Sequence, residues 1–374
     1  MTVFKTVVLA LGILTLSFSS VWAVDEPATV AHEGSTPDLR DDGSDLTVQS
    51  GNLVIVPIPM SGPTLDSGLI LGEMYFHGQT EEQARKQPAS VTGAAGMYTS
   101  SDSKALALVH QGYWKDDTWR FTAAAGAADL NLSLSRPLGD PGLGDINWRI
   151  KGNFLYLNML RRLGGNWYAG ALARYIDAEQ QVGFTGSNVD FDLGAEVTAR
   201  GVGAVLEYDS RDMPTNSYSG RHFKVEAVLN AEAYGSDKNY QSYSSYFRSY
   251  HEMNDSLVLA WELRGCDRGG KVPLWEACTV GLRGFSATDY LGRSSVSGQA
   301  EARWRMSERW GLVGFGGVGY VTSPFSEIRG RTAIPSYGLG IRFMVLPAKR
   351  INIRVDYGRS TDSNAIHLSV GEAF

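Results

Sequence analysis

Hydrophobic and polar residues alternate with a period of two along most of the chain after residue 50. The segment 296–306 is the clearest case. One of its faces carries Val, Gly, Ala, Ala, Trp and Met, and the other carries Ser, Gln, Glu, Arg and Arg. The segments 337–345 and 350–357 repeat the pattern, and 364–374 places Ile366, Leu368, Val370 and Phe374 on one face. This alternation predicts β-strands with one apolar and one polar face.

The alternation predicts sixteen strands, an even number as in bacterial membrane barrels. Their bounds are 53–61, 67–77, 90–99, 104–114, 118–128, 147–161, 166–177, 199–209, 221–233, 240–253, 256–266, 296–306, 309–321, 335–346, 349–358 and 364–374. We find no linker and no second domain after residue 51. The segment 51–374 is therefore predicted to be one barrel domain.

A soluble β-sandwich also alternates, but two features favour a barrel in an outer membrane. Aromatic residues lie at strand ends, as in the interfacial belts of membrane proteins, at Trp167, Trp304, Trp310, Tyr320 and Tyr357. The polar faces carry several charges per strand, which suits a wet lumen. The charges expected to line that lumen are Glu207, Lys224, Glu226, Glu262, Arg264, Glu301, Arg303, Arg305, Arg342 and Arg354. The fold class is thus an all-β transmembrane antiparallel β-barrel.

Pro57 and Pro59 lie inside the first predicted strand. Residues i and i+2 direct their N–H groups to the same side, so one edge of this strand lacks two hydrogen-bond donors. In a closed barrel, this places a poorly paired seam between the first and last strands, bordered by Pro57 and Pro59 on one side and by Phe374 on the other. A cross-link between cysteines at positions such as 56 and 368 would test whether that seam opens.

The first 23 residues have the features of a secretory signal peptide. Lys5 supplies a positive start, the run from Val7 to Phe18 supplies an apolar segment too short to span a bilayer, and Ala23 ends a cleavage site. Residues 24–50 are polar and acidic, and we expect a disordered or loosely held periplasmic leader. The formal net charge of −6 argues against nucleic acid as a partner.

The chain has two cysteines, Cys266 and Cys278. In the oxidising compartment that a signal peptide implies, we expect them to form a disulfide that closes a loop. We expect no metal site at this pair, since no His or second Cys pair lies nearby. The longest stretch without a predicted strand, roughly 267–295, contains Cys278. It is long for a hairpin loop and therefore expected to be functional.

That stretch contains Leu282-Arg283-Gly284-Phe285. Two more motifs are Tyr208-Asp209-Ser210-Arg211-Asp212 and, at the end, Val355-Asp356-Tyr357 followed by Leu368 to Phe374. With these motifs in this order, the chain resembles the BamA/TamA (bacterial surface antigen) superfamily of outer-membrane barrels over roughly residues 51–374.

The resemblance implies that the Arg-Gly-Phe motif lies at the tip of a long extracellular loop that folds into the lumen. It also implies that Asp209, Arg211 and Asp212 form a family-type turn, and that Phe374 is an aromatic signal read by the barrel-assembly machinery. Only about 27 mature residues precede the first strand, so we expect a short member without POTRA domains.

A guanidinium inside a lumen needs carboxylate or carbonyl partners. Glu301 lies on the polar face of the strand after the loop, and the family places an acidic partner there, so we predict a contact between Arg283 and Glu301. The family's Asp on the next strand is replaced by Gly317, which leaves a second anchor open. The glycines of that strand, including Gly319, would make room for the loop.

By resemblance, the expected function is the insertion or translocation of protein or lipid at a lateral seam, with outer-membrane lipids and lipopolysaccharide as partners. The alternative is a passive pore or structural surface antigen. We expect no cofactor and no enzymatic activity: the histidines accompany no Gly-x-Ser-x-Gly motif. His110 and His367 are expected to be polar residues of the lumen or an interface.

Overall fold

The computed structural model describes residues 52–62, 64–134, 145–186, 189–213, 215–286, 289–322, 333–347, 350–361 and 363–374. The predicted signal peptide and leader lie outside these ranges. In the described part of the chain, sixteen antiparallel strands close into one barrel, each paired with its neighbour in sequence. This confirms the predicted fold class and strand number.

The barrel strands are β1 (Asn52–Gly62), β2 (Asp66–Phe76), β3 (Val91–Thr99), β4 (Lys104–Trp114), β5 (Trp119–Leu134), β6 (Asp145–Gly164), β7 (Trp167–Gly186), β8 (Val189–Asp209), β9 (Gly220–Asn230), β10 (Tyr240–Asn254), β11 (Leu257–Gly270), β14 (Ser294–Arg305), β15 (Trp310–Val321), β16 (Ile334–Leu346), β17 (Ile351–Arg359) and β18 (Asn364–Val370). Two short strands, β12 (Cys278–Thr279) and β13 (Leu291–Gly292), pair with each other between β11 and β14. A short helix, α1 (Glu81–Lys86), joins β2 to β3.

The two ends of the barrel differ. We call the end that carries the connection from β11 to β14 the loop end, and the end at which β1 begins the turn end. Helix α1 lies at the turn end. It begins at a capping box in which Thr80 and Gln83 satisfy each other's backbone N–H groups.

Strands β5 to β8 extend further toward the loop end than the sequence predicted. The reason is visible in β6, where Trp148 and Ile150 face inward and are fully buried while Arg149 and Lys151 are exposed. Arg149 pairs with Asp129 of β5 at 2.7 Å. In this extension the polar residues point outward and the apolar ones inward, which reverses the alternation expected of a membrane strand.

The outer face carries an apolar band bordered by aromatic rings. Trp167, Trp304 and Trp310 are exposed at the turn end, where the sequence predicted an interfacial belt. His110 also lies on this outer side, next to the rings of His77 and Phe121. The expectation that His110 could line the lumen is therefore wrong. No helix in the described ranges is long and apolar enough to cross a membrane.

The inner face is divided into two halves. From β8 to β17 it carries the predicted lumenal charges. From β2 to β8 it is mostly apolar, with residues such as Ile70, Val91 and Leu130 buried in one cluster, and Arg120 and Arg174 are its charged exceptions. The expectation of a charged lumen is therefore met mainly by one half of the barrel, since the inner face of the early strands is mostly apolar.

The seam between β1 and β18 is the least paired junction of the barrel. β1 forms eleven residue pairs with β2 but a single pair, Ser61 with Leu368, with β18. Pro57 and Pro59 have no backbone N–H. Because β1 pairs with β2 along its whole length, the edge of β1 on which these two N–H groups are missing is the one that faces β18. The register places Ser61 opposite Leu368, so a cross-link designed at positions 56 and 368 would be misaligned.

The last four residues do not continue β18, which ends at Val370. Gly371 has a φ of +84° and turns the chain into the lumen. Phe374 is then buried against Tyr250 and Ala260, on β10 and β11. The prediction that Phe374 shares the face of Ile366 and borders the seam is wrong. If β18 continued in the register set by Ser61 and Leu368, residues 370 and 372 would lie opposite Pro59 and Pro57. These prolines have no N–H to donate, so continued pairing there would gain few hydrogen bonds.

Candidate functional site

The connection between β11 and β14, which is described at residues 271–286 and 289–293, folds back into the barrel, and we call it the lumenal loop. A disulfide joins Cys266 of β11 to Cys278 of β12, with a Cα–Cα distance of 5.7 Å. This confirms the predicted pairing. Because Cys266 belongs to a barrel strand, the bond fixes the start of the loop to the wall.

The loop has a buried ionic anchor at Glu276, which the sequence did not predict. Arg174 of β7 contacts the Glu276 carboxylate at 2.9 Å, and Arg268 of β11 donates to the Glu276 carbonyl oxygen at 3.0 Å. Ser242 donates to the same carboxylate. Burial alone would raise the pKa of the Glu276 carboxyl, but the two guanidinium groups outweigh it and lower that pKa below its usual value. The anchor is therefore charged at neutral pH.

Further along the loop, Arg283 is buried among groups of the charged half. Its guanidinium donates to Glu301 of β14 and, at 2.9 Å, to Asp356 of β17. It also lies over the ring of Phe315, with 3.5 Å from Cζ to the ring centroid. The structure thus places Arg283 against Glu301, the partner that the sequence suggested.

Gly317 has no side chain and cannot supply a second carboxylate partner for Arg283. Asp356 of β17 supplies it instead. It also accepts from Arg342 at 2.6 Å and from Arg354 at 3.3 Å, so it links three arginines. Gly317 instead provides space, since a Cβ there would lie 3.0 Å from Leu282. The second carboxylate that holds Arg283 therefore lies on β17, and the space at Gly317 on β15 accommodates the loop.

Gly284, next in the motif, packs its backbone directly on the backbone of β17. Its φ is +103°, and a Cβ at this position would lie 2.8 Å from the backbone nitrogen of Arg359. Its N–H donates to Nε2 of His367 on β18 at 3.3 Å, and its carbonyl accepts from Ser363 at 3.1 Å. Only glycine fits a position with this backbone conformation and this close approach.

The tip of the loop reaches both sides of the seam. His367 belongs to β18, while Ser286 hydrogen-bonds at 2.9 Å to Thr64, in the turn between β1 and β2. Between these contacts, Phe285 is buried against Val280 and Ile334. The loop therefore bridges the loop-end part of the seam from inside the lumen.

The turn motif lies at the turn end, between β8 and β9. Arg211 pairs with both oxygens of Asp209, at 2.8 and 2.9 Å. Asp212 accepts from the backbone N–H groups of Tyr218 and Ser219 and pairs with Arg350 at 2.6 Å. Since Arg350 lies next to β17, this turn reaches across the mouth of the barrel.

Glu207, Asp209 and His222 are the one group of possible metal ligands within the described residues whose donor atoms lie close together. Asp209 already holds Arg211, and Glu207 contacts both His222 at 3.3 Å and Arg120 at 3.5 Å. Two guanidinium groups occupy the positions from which a cation would bind. We therefore assign this group to the ionic network of the lumen and not to a metal.

The fold matches solved structures of outer-membrane barrels. BamA from Haemophilus ducreyi lacking POTRA domains 1–3 is 12% identical, with a TM-score of 0.57 over 98% of this chain and 78% of that one. CdiB from Acinetobacter baumannii is 12% identical, with a TM-score of 0.56 over 96% of this chain and 66% of that one. CdiB from Escherichia coli is 9% identical, with a TM-score of 0.53 over 87% of this chain and 68% of that one.

No protein-family model and no curated protein sequence matches the chain. The similarity to BamA and CdiB therefore rests on the fold, and it bears out the sixteen-stranded barrel that the sequence indicated. It also supports the predicted location in an outer membrane.

Proposed function

We propose that this chain acts in the insertion or translocation of protein or lipid at the β1–β18 seam of an outer-membrane barrel, without covalent chemistry. The observation that carries the proposal is the single residue pair between these two strands. Unpaired N–H and C=O groups on a strand edge form a template for another strand. The stretch of β1 from Asn52 to Met60 has such an edge on its β18 side, although it lacks an N–H group at Pro57 and at Pro59.

The lumenal loop supports the same proposal. Arg283, Glu276 and the disulfide hold it inside the barrel, where it occupies part of the lumen. The loop tip and the Ser61–Leu368 pair both lie toward the loop end of the seam. The seam is therefore weakest toward the turn end, which the resemblance assigns to the periplasm. A substrate would enter from that side.

The partners that we propose are the lipids of the outer membrane, lipopolysaccharide included, and the barrel-assembly machinery. Phe374 is 7% exposed in the folded barrel. If assembly machinery reads this residue, it does so before the chain has folded.

The proposal is tested by deleting the gene and measuring the protein and lipid composition of the outer membrane. We expect particular proteins or lipids to be depleted, and to be restored by the wild-type chain. An unchanged composition in a strain that grows normally would contradict the proposal.

The second candidate function is a passive pore whose selectivity is set by lumenal charges such as Arg264 and Arg354. Recordings in planar bilayers separate the two, because a plugged lumen gives small, flickering conductance. Large and steady conductance from the wild-type chain would favour the pore.

A further inference from the structure

An acidic side chain lies on the lipid-facing side of the barrel. Glu73 of β2 is exposed on the outer face. Its neighbours on that face are apolar or aromatic: Leu71 and Tyr75 along β2, Ile55 opposite it on β1 and Ala94 opposite it on β3. Ile55 and Leu71 are 61% and 55% exposed, so this part of the outer face belongs to the apolar band. Glu73 is therefore a carboxylate set among side chains that face lipid.

No hydrogen bond or ion pair to the Glu73 carboxylate is found in the described part of the chain. By contrast, Asp129, on the outer face near the loop end, pairs with Arg149 at 2.7 Å. An ionisable side chain that faces the interior of a membrane is costly unless a partner compensates it. Because Glu73 is exposed, a cation from the membrane around the barrel can reach it directly.

Two histidines close to Glu73 share one hydroxyl group. Thr92, which lies opposite Tyr75 on β3, has its Oγ1 2.9 Å from Nε2 of His77 and 2.9 Å from Nδ1 of His110. A hydroxyl has one proton to donate, so one uncharged ring accepts from Thr92 and the other donates to it. The accepting ring then has an N–H on its second nitrogen, and the donating ring has a lone pair there.

The second nitrogens of these rings, Nδ1 of His77 and Nε2 of His110, have no hydrogen-bond partner within the described ranges. They therefore offer one donor and one acceptor on the outer face. Together with the Glu73 carboxylate, they suit a ligand that carries a cationic donor and an anionic acceptor in one small group.

The height of these residues indicates where such a ligand is found. Tyr75 and Trp114, on the same outer face, are 42% and 45% exposed and lie at the turn end of β2 and β4. Exposed aromatic rings of this kind lie at the level of the lipid headgroups. Glu73 is three residues from the end of β2, or roughly 10 Å along the strand. Its carboxylate is therefore within reach of a headgroup from the leaflet at the turn end.

We propose that the outer face of β2 to β4 binds the headgroup of phosphatidylethanolamine from that leaflet. The Glu73 carboxylate accepts hydrogen bonds from the primary ammonium group, and the N–H of the histidine pair donates to the phosphate. The ring of Tyr75 adds an attraction for the ammonium group. This site specifies one of the lipid partners proposed above. It does not depend on opening of the seam, since binding from the membrane needs only the outer face.

The test is native mass spectrometry of the delipidated full chain in a neutral detergent, titrated with phosphatidylethanolamine, phosphatidylcholine or phosphatidylglycerol. We expect one phosphatidylethanolamine to be retained in preference to the other two lipids. Glu73→Gln should weaken its binding about tenfold, because it removes a charge-assisted hydrogen bond. His110→Phe should weaken it about fivefold, because it removes a neutral one. Glu179→Gln, an exposed acid of the outer face at the loop end, is the matched control and should bind like the wild type.

Glu73→Gln changes an exposed residue, so we expect the folded barrel to be retained, which circular dichroism checks. Equal binding of phosphatidylethanolamine by the wild type and Glu73→Gln would overturn the proposal. Equal retention of phosphatidylcholine would contradict recognition of a primary ammonium group. A dimer of the wild type that Glu73→Gln dissociates would also overturn the proposal, since the partner of Glu73 would then be a second copy of the chain.

Discussion

At the scale of single residues, the lumenal loop is held by charges that balance one another inside the barrel. Arg283 contacts Glu301, Asp356 and the Phe315 ring, and each carboxylate holds at least one further arginine. Removing one partner of such a buried pair leaves the other uncompensated, which costs roughly 3–5 kcal/mol. The network therefore makes withdrawal of the loop costly.

We expect Arg283→Ala to destabilise the folded barrel by about 3 kcal/mol, because two carboxylates lose a buried partner. In a double-mutant cycle with Asp356→Asn, the two changes should be coupled by about 1–2 kcal/mol. Unfolding in urea, measured in detergent or lipid vesicles, gives both values. Arg85→Ala serves as the control on an exposed arginine. If the two substitutions had additive effects on the free energy of unfolding, the contact between Arg283 and Asp356 would contribute nothing to stability.

The pH dependence of the second anchor follows from the lowered pKa of Glu276. A carboxyl whose pKa is lowered by folding stabilises the folded state. This contribution is fully present above the unfolded-state pKa of about 4.3, and it is lost as the pH falls through the folded-state pKa. We therefore expect Glu276→Gln to be less stable than the wild type at pH 7, and the difference to shrink below about pH 4.

Urea midpoints of the wild type and Glu276→Gln at neutral and acidic pH measure this difference. Glu81→Gln, on the exposed side of α1, controls for the loss of a carboxyl. A stability difference that stays constant across this pH range would contradict the charged anchor.

The sequence was sufficient to predict the contact of Arg283 with Glu301, because both positions follow from the motif and from the strand alternation. It could not identify Asp356 as the second partner. That assignment needs the position of the loop relative to β17, which lies 73 residues further along the chain. Glu276 was missed for the same reason, since its partner Arg174 is on β7, far away in sequence.

At the scale of elements, the prolines of β1 explain why the barrel has a weak junction. All eleven residues of β1 pair with β2, but the side of β1 that faces β18 has no N–H at positions 57 and 59. The chain turns inward at Gly371 at the level of these positions, and Glu372 pairs with Arg342 instead. The two prolines in the sequence of β1 therefore explain why the edge of β1 that faces β18 is almost unpaired.

We expect the double substitution Pro57→Val and Pro59→Val to extend the pairing between β1 and β18, because it restores two donors. Each new hydrogen bond should add about 1 kcal/mol to the stability of the barrel. Hydrogen exchange should show new protection in β1 and β18. Pro335→Val, in β16, is the matched control away from the seam. Unchanged exchange at the seam would show that the prolines are not what keeps it unpaired.

The sixteen strands were predictable because one face of each is apolar over most of its length. The extensions of β5 to β8 were not, because the alternation there is reversed, as Arg149 and Lys151 show by pointing outward from β6. The turn of the chain at Gly371 was also missed. Alternation continues through residues 371–374, and only the contacts of Phe374 with Tyr250 and Ala260 reveal that this segment has left the sheet.

At the scale of the whole molecule, the barrel has a loop held inside its lumen and one poorly paired junction, between β1 and β18. The lumenal loop packs against the inner face of the barrel, while every junction of neighbouring strands in the described residues pairs over seven or more positions except that of β1 with β18. This arrangement favours exchange with the membrane at the side of the barrel over passage through its centre.

The most direct test of this account is to lock the seam. Ser61→Cys with Leu368→Cys places two cysteines opposite each other across β1 and β18, and both natural cysteines are already paired. Val355→Cys with Leu368→Cys is the matched control, since it joins the same residue to β17 within a continuous ladder. Each variant is introduced into the deletion strain, and the outer-membrane composition is measured under oxidising and reducing conditions.

We predict that the seam-locked variant fails to restore the outer-membrane composition when oxidised and restores it when reduced. The control variant should restore it under both conditions. Full restoration by the oxidised, cross-linked seam variant would contradict lateral opening as the basis of function.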